Sequence, residues 1–138
     1  MVTTINTQDI RNLNLFGKIT RVNTKFCLKY NNGIVFCVPK RLVQKAVSGR
    51  GENIREVSRI LGKRVKVVPS PGGIWDAENF IRAIVSPVTF KDLEVKNNEI
   101  IITTKNINKA ALIGRNKRRF LEMKKIVRDY FGKDFRIV

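Results

Sequence analysis

The sequence predicts an α+β protein built from two copies of one α-β-β-α-α-β unit, and three observations carry that prediction. Apolar residues change period along the chain, from helical spacing to strand alternation and back, in the same order in each half. A break rich in proline and glycine, Pro69-Ser70-Pro71-Gly72-Gly73, divides the halves. Key positions recur at an offset of 66, with Val47 on Ile113, Ser48 on Gly114, Gly51 on Lys117 and Ile54 on Phe120. The expected domains are residues 1–70 and 71–138, each a three-stranded mixed sheet covered by helices.

In the first copy, Thr7 or Asp9 opens a helix with Ile10, Leu13 and Phe16 on one stripe, and Gly17 is expected to end it. Val22, Phe26 and Leu28 alternate with polar residues up to Tyr30, Asn31-Asn32-Gly33 turns the chain, and Ile34 to Val38 returns as a second strand. Pro39 suits the first turn of a helix from Lys40 to Val47, because its missing N–H has no helical partner there in any case. A loop, Ser48-Gly49-Arg50-Gly51, leads to a helix from Glu52 to Leu61 with Ile54, Val57, Ser58 and Leu61 on one face. Gly62 stops it, and Arg64 to Val68 reads as the last strand.

In the second copy, Asp76 is expected to cap a helix bearing Phe80, Ile81, Ile84 and Val85, which Pro87 ends. Val88 to Val95 and Ile100 to Thr104 read as strands about an Asn97-Asn98 turn, and Ile107 to Ile113 as a short helix. The loop Gly114-Arg115-Asn116-Lys117 precedes a helix from Arg118 to Phe131, stopped by Gly132, and Phe135 to Val138 closes the unit. Between the two helix stops the offset becomes 70, so this helix is longer by four residues, about one turn, which preserves its buried face.

Of 138 residues, 28 are Lys or Arg and 11 are Asp or Glu, a net charge of +17. Residues 1–68 hold 14 basic and 3 acidic side chains, and residues 69–138 hold 14 and 8, so both halves can face a polyanion. Cations that displace condensed counterions gain salt-dependent affinity for phosphate chains, which puts nucleic acid first among partners. The apolar runs are far short of the ~20 residues that span a bilayer, and Met1 to Asn6 lacks the basic start and apolar core of a secretory signal. A cytoplasmic protein with no membrane partner is expected. With no histidine and only Cys27 and Cys37, a structural zinc site lacks its four ligands. Without histidine, a phosphate-binding Gly-x-x-x-x-Gly-Lys-Ser/Thr loop or a Gly-x-Ser-x-Gly turn, catalysis finds no support, and neither cofactor nor metal is expected. The acids Asp76, Glu78, Asp92, Glu94 and Glu99 fall at a helix start and on a strand with its turn, where acids favour dipoles and solubility.

Two helices joined by a glycine-bearing basic loop, with strands before and after, resemble the K-homology (KH) domain, whose type II order is α-β-β-α-α-β. The pattern of that family, aliphatic-Gly-x-x-Gly-x-x-aliphatic, is read here as Val47-Ser48-Gly49-Arg50-Gly51-Glu52-Asn53-Ile54 and as Ile113-Gly114-Arg115-Asn116-Lys117-Arg118-Arg119-Phe120. A more specific resemblance, over nearly the whole chain, is to archaeal NusA-like transcription factors made of tandem type II KH domains. It rests on Gly51-Glu52-Asn53-Ile54-Arg55, on Leu61 to Val68, on the joining helix Asp76 to Val88 with its Ser-Pro-Val ending, and on Leu112-Ile113-Gly114-Arg115-Asn116.

The resemblance implies a single-stranded RNA-binding protein with a role in transcription elongation or termination, RNA polymerase as a second candidate partner, and a monomer. A ribosome-associated or assembly factor on ribosomal RNA and a protein-interaction scaffold are the alternatives. The implied RNA-binding residues are Ser48, Gly49, Arg50, Gly51, Ile54 and Arg55 in the first copy and Gly114, Arg115, Asn116, Lys117, Arg118 and Arg119 in the second. In KH domains this loop clamps the backbone of about four nucleotides. Glycine lets phosphates approach main-chain N–H groups, and the loop ends at a helix N-terminus whose unpaired donors attract anions.

Two positions depart from the pattern. Ser48 stands at the first glycine of loop one and should leave it competent. Lys117 stands at the last glycine of loop two, where a side chain disfavours positive φ and restricts backbone approach. Yet Lys117, Arg118 and Arg119 crowd a helix N-terminus, where the dipole opposes each cation by about 0.3–1 kcal/mol, as expected of side chains that await phosphate. Lys40, Arg41, Lys45 and Lys109 flank the loops. Trp75, the sole tryptophan, is expected to pack between the domains, with base stacking the alternative. A three-residue turn at Asn31 to Gly33 would set Cys27 opposite Cys37; two reduced thiols are expected, a disulfide being the alternative.

Overall fold

The computed structural model describes residues 7–138, so the reading of Met1 to Asn6 lies outside the described residues. The chain divides into two compact units, the first ending at Ser70 and the second beginning at Pro71. Each runs α-β-β-α-α-β, and each holds a three-stranded mixed sheet.

In the first unit, α1 spans Thr7–Thr20 and buries Asn12, Phe16 and Thr20 at i, i+4 and i+8. Ile10, expected on that stripe, is instead exposed. Nor does Gly17 end the helix: a Cβ there would lie 3.0 Å from Oδ1 of Asn23, so the glycine serves close approach. The helix stops one turn later, where Thr20 Oγ1 donates to the Phe16 carbonyl at 2.7 Å and accepts the Val22 N–H at 3.2 Å. Arg21 then turns left-handed at φ 60°.

Strands β1 (Phe26–Tyr30) and β2 (Gly33–Val38) are antiparallel, and β3 (Arg64–Pro69) joins β2 in parallel. Asn31 and Asn32 both take positive φ, 53° and 60°, forming a two-residue turn that pairs Tyr30 with Gly33. The expected three-residue turn is therefore wrong by one residue, and one residue flips every side chain. Cys27 lies opposite Phe36, and Cys37 opposite Phe26, so the two thiols occupy opposite faces and form no disulfide. All of Ile34 to Val38 is buried, as a central strand covered on both sides requires. A single 3₁₀ turn at Lys40–Leu42 leads into α2 (Val43–Ala46), and α3 follows at Glu52–Leu61. Phe16 and Phe36 stack at 4.2 Å between centroids in a core shared with Val22, Ile34, Val38, Ala46 and Val57. Gly62 ends α3 left-handed at φ 66°.

The second unit opens on a 3₁₀ turn, Ile74–Asp76, followed by α4 (Ala77–Val85), which buries Phe80, Ile81, Ile84 and Val85. Asp76 stands at the cap position without capping the helix; its carboxylate accepts the Gly72 N–H at 2.8 Å and closes the preceding turn. Strand β4 (Asp92–Lys96) begins four residues later than expected. The segment before it is held by Arg82, whose Nη1 donates to the Phe90 carbonyl at 3.0 Å while the guanidinium lies 4.0 Å from the Phe90 ring centre. Strand β5 (Glu99–Thr103) runs antiparallel to β4 and parallel to β6 (Asp134–Ile137), with α5 (Asn106–Ile113) and α6 (Arg118–Phe131) between them. Phe80 of α4 meets Tyr130 and Phe131 in the last turn of α6, at centroid distances of 5.0 and 6.0 Å. Helix α3 has 10 residues and α6 has 14, so the extra turn inferred from the changing offset lies within this helix.

Candidate nucleic-acid interface

The two interhelical loops show why their glycines stand where they do. In loop one, Gly49, Arg50 and Gly51 take φ of 71°, 58° and 81°. In loop two, Gly114, Asn116 and Lys117 take 76°, 56° and 61°. The last two loop positions are thus left-handed in both copies, and Lys117 adopts the conformation that Gly51 adopts. Lysine's preference against positive φ is overcome here, because the neighbouring structure imposes this backbone shape against a steric cost of about 1–2 kcal/mol.

The first position differs between the copies. Ser48 is outside the positive-φ set and the turn falls on Gly49, whereas in loop two it falls on Gly114, at φ 76° and ψ 174°. That region is open essentially only to glycine. A Cβ on Gly114 would also come within 2.9 Å of Arg119 Cγ and 3.2 Å of the Arg119 nitrogen.

Main-chain donors are available in each loop. Gly51 N–H bonds the Val47 carbonyl at 3.1 Å, and Lys117 N–H bonds the Gly114 carbonyl at 3.2 Å. Among the described residues, the N–H groups of Gly49 and Arg50, and of Arg115 and Asn116, have no protein acceptor, and all four residues are exposed. Helices α3 and α6 begin directly after the loops and add the unpaired donors of their first turns.

The side chains are less alike. Ser48, Arg50, Arg55, Lys117 and Arg118 are exposed and Arg119 is half-buried, and two of these arginines, Arg55 and Arg119, bond main-chain carbonyls. Arg55 Nη1 reaches back to the Arg50 carbonyl at 3.0 Å, and Arg119 Nη1 to the Ala111 carbonyl at 3.1 Å. Half-buried Arg119 thus links the end of α5 to α6 through one of its five N–H donors. No spacing rule marks either arginine for this role, because both bonds depend on the tertiary course of the loop. Glu52, the acid in the first turn of α3, overhangs loop one, 3.7 Å from a Cβ built on Gly49. The first turn of α6 has no acid, so loop two presents the more positive surface. Ile54, Val65 and Val67 are half-buried against the first core and line its edge. Lys40, Arg41 and Lys45 are exposed and Lys109 half-buried.

Trp75 is 76% exposed, which overturns the expectation that it packs away. Among the described residues no group of three or more His, Cys, Asp or Glu could hold a metal ion, and no helix is long and apolar enough to cross a membrane.

Comparison with known proteins places this arrangement. No family model matches the chain. It is 28% identical over 100 residues to the probable transcription termination protein NusA of Methanococcus vannielii, a match covering 71% of this chain and 56% of that protein. The same protein of Methanocaldococcus jannaschii is 28% identical over 92 residues, covering 67% and 49%. The chain is NusA-like, similar to these two archaeal proteins. This NusA-like chain matches about half the length of these curated relatives. Its fold is also that of the crystal structure of APE1850, with a TM-score of 0.67 at 22% identity over 96% of this chain and 99% of that one.

Proposed function

We propose that the two units are tandem type II KH domains, residues 1–70 and 71–138, and that the protein binds single-stranded RNA through its two interhelical loops as a NusA-like factor in transcription. The observation that carries this reading is the recurrence of one backbone shape, two left-handed residues before a helix N-terminus with free N–H groups beside them, in two loops of unlike sequence. Stability alone gives no reason to keep a lysine in place of glycine at this left-handed position, whereas phosphate contact does: the shape brings successive amide donors together where an anion can sit, and the ammonium group adds a cation beside them. The net charge of +17 supplies the long-range attraction. Gly49, Arg50 and Gly51 would contact phosphates in loop one, and Arg115, Asn116, Lys117 and Arg118 in loop two, with Arg55 and Arg119 shaping the loops. Non-enzymatic action, a cytoplasmic site, monomeric state and RNA polymerase as a further partner belong to the same proposal.

Binding of a short unstructured RNA across a salt series tests it. The plot of log K against log salt should be steep, and Lys117→Ala with Arg118→Ala should flatten it by about 1.4, since each single-strand phosphate contact contributes about 0.7 to the slope. Gly49→Asp with Gly51→Asp should weaken binding strongly. Unchanged affinity in both variants refutes the loop assignment. Co-purification with RNA polymerase rather than ribosomal subunits tests the transcriptional role.

A further inference from the structure

Trp75 is the chain's sole tryptophan and its most exposed aromatic side chain among the exposed large apolar residues, at 76%, with Ile74 beside it at 38%. An exposed apolar side chain alone calls for no explanation. The way this ring is held does. It lies on the backbone of Gly72 and Gly73: a Cβ on Gly73 would overlap Cζ3 of the indole and stand 2.5 Å from Cη2, and one on Gly72 would stand 3.3 Å from Cζ2. Gly73 has φ 167° and ψ −169°, extended backbone that any residue adopts, so no torsional need explains this glycine. Its missing side chain makes room for the ring. The Gly72 N–H bond to the Asp76 carboxylate, 2.8 Å, closes the turn under the indole. One ring face is thereby backed by glycine main chain and the rest is left to solvent, an ordering that a side chain meant only to be solvated would not need.

From this we infer that Trp75 is a stacking platform for an unpaired nucleobase, a contact separate from the phosphate loops. The inference rests on the RNA reading above. A nucleobase is the occupant favoured because it is the flat apolar group borne by the polyanion that a +17 chain attracts. Placement agrees with a separate contact. Helix α4, which begins just after Trp75, meets α6 through Phe80 at Tyr130 and Phe131, in its last turn, whereas loop two lies at its first. Fourteen helical residues span about 20 Å, so an RNA segment of several nucleotides would be needed to touch both.

Because the tryptophan is unique, its fluorescence excited at 295 nm reports on this ring alone. Titration with a short unstructured RNA should quench it with the same midpoint that fluorescence anisotropy of labelled RNA gives. Trp75→Ala should weaken RNA binding by about 10- to 100-fold, the range that removal of one stacking aromatic produces, and Trp75→Phe should restore most of it. The salt slope should be unchanged in both, since stacking releases no counterions, which separates this contact from Lys117 and Arg118. Gly73→Ala, whose backbone is permitted, should displace the ring and reproduce the Trp75→Ala loss with folding intact. RNA binding seen by anisotropy, with unquenched tryptophan and full affinity in Trp75→Ala, overturns the platform and leaves the loop reading standing. Absence of RNA binding overturns both, and a spectral shift only on addition of RNA polymerase makes the ring a protein contact instead.

Discussion

Replacing Lys117 by glycine should stabilise the protein, although the change removes a side chain and frees the unfolded backbone. Lys117 is held at φ 61° and ψ 23°, directly before α6. For a residue with a Cβ that conformation costs about 1–2 kcal/mol, which glycine does not incur. Against this, glycine has more conformational freedom to lose on folding, about 0.5–1 kcal/mol. Removal of a cation from the N-terminus of α6 adds about 0.3–1 kcal/mol in favour of the variant. The net expectation is stabilisation of about 1 kcal/mol, or a rise in Tm of about 2–4 °C for a chain of this size. Thermal and urea unfolding followed by far-ultraviolet circular dichroism measure it. A loss of stability near the 0.5–1 kcal/mol that glycine costs inside a helix would show that position 117 is not left-handed, and would remove the likeness between the loops. RNA affinity should fall in the same variant, because the ammonium group goes while the backbone shape stays.

Other expectations concern the same elements. Gly114→Ala should destabilise by about 1–3 kcal/mol, the cost of a side chain in a glycine-only region, while Ser48→Ala at the equivalent position should be nearly neutral; equal losses would refute the distinction drawn between the loops. Phe36→Ala, which removes the ring stacked on Phe16 at 4.2 Å, should cost about 3–5 kcal/mol in urea unfolding, and a loss under 1 kcal/mol would contradict its place in the core. The Cys27 thiol is pushed up to about 12 by burial and by the neighbouring Asp9 carboxylate. A group whose folded value is raised lends stability that is whole below its unfolded value and is lost as pH climbs toward the folded one. The urea midpoint of the wild type should therefore fall toward that of Cys27→Ala between about pH 9 and 12, and Cys27 should resist alkylation at pH 8; ready alkylation there refutes its burial.

Much of this protein is legible from residue order alone, because it rests on local rules. The duplication, the break before Pro71, the stops at Gly62 and Gly132, and the face on which α3 buries Val57 follow from periodicity and from the single residue type that readily turns left-handed at a helix end. The loops are legible the same way, through the apolar residues that flank them at one offset, Val47 on Ile113 and Ile54 on Phe120. What local rules do not reach is where a neighbour intervenes. Gly17 sits inside α1 because Asn23 passes close by, Asp76 turns to Gly72 instead of capping α4, and Arg119 reaches back to a carbonyl of α5. The hairpin register turned on whether two or three residues made the bend, and that single residue decided which thiol faces which side of the sheet. Lys117 shows the division most plainly. Its sequence preference opposes positive φ, and the packing of α5 and α6 on either side overrides that preference, since a cost of one or two kcal/mol at one residue is small beside two buried helix faces.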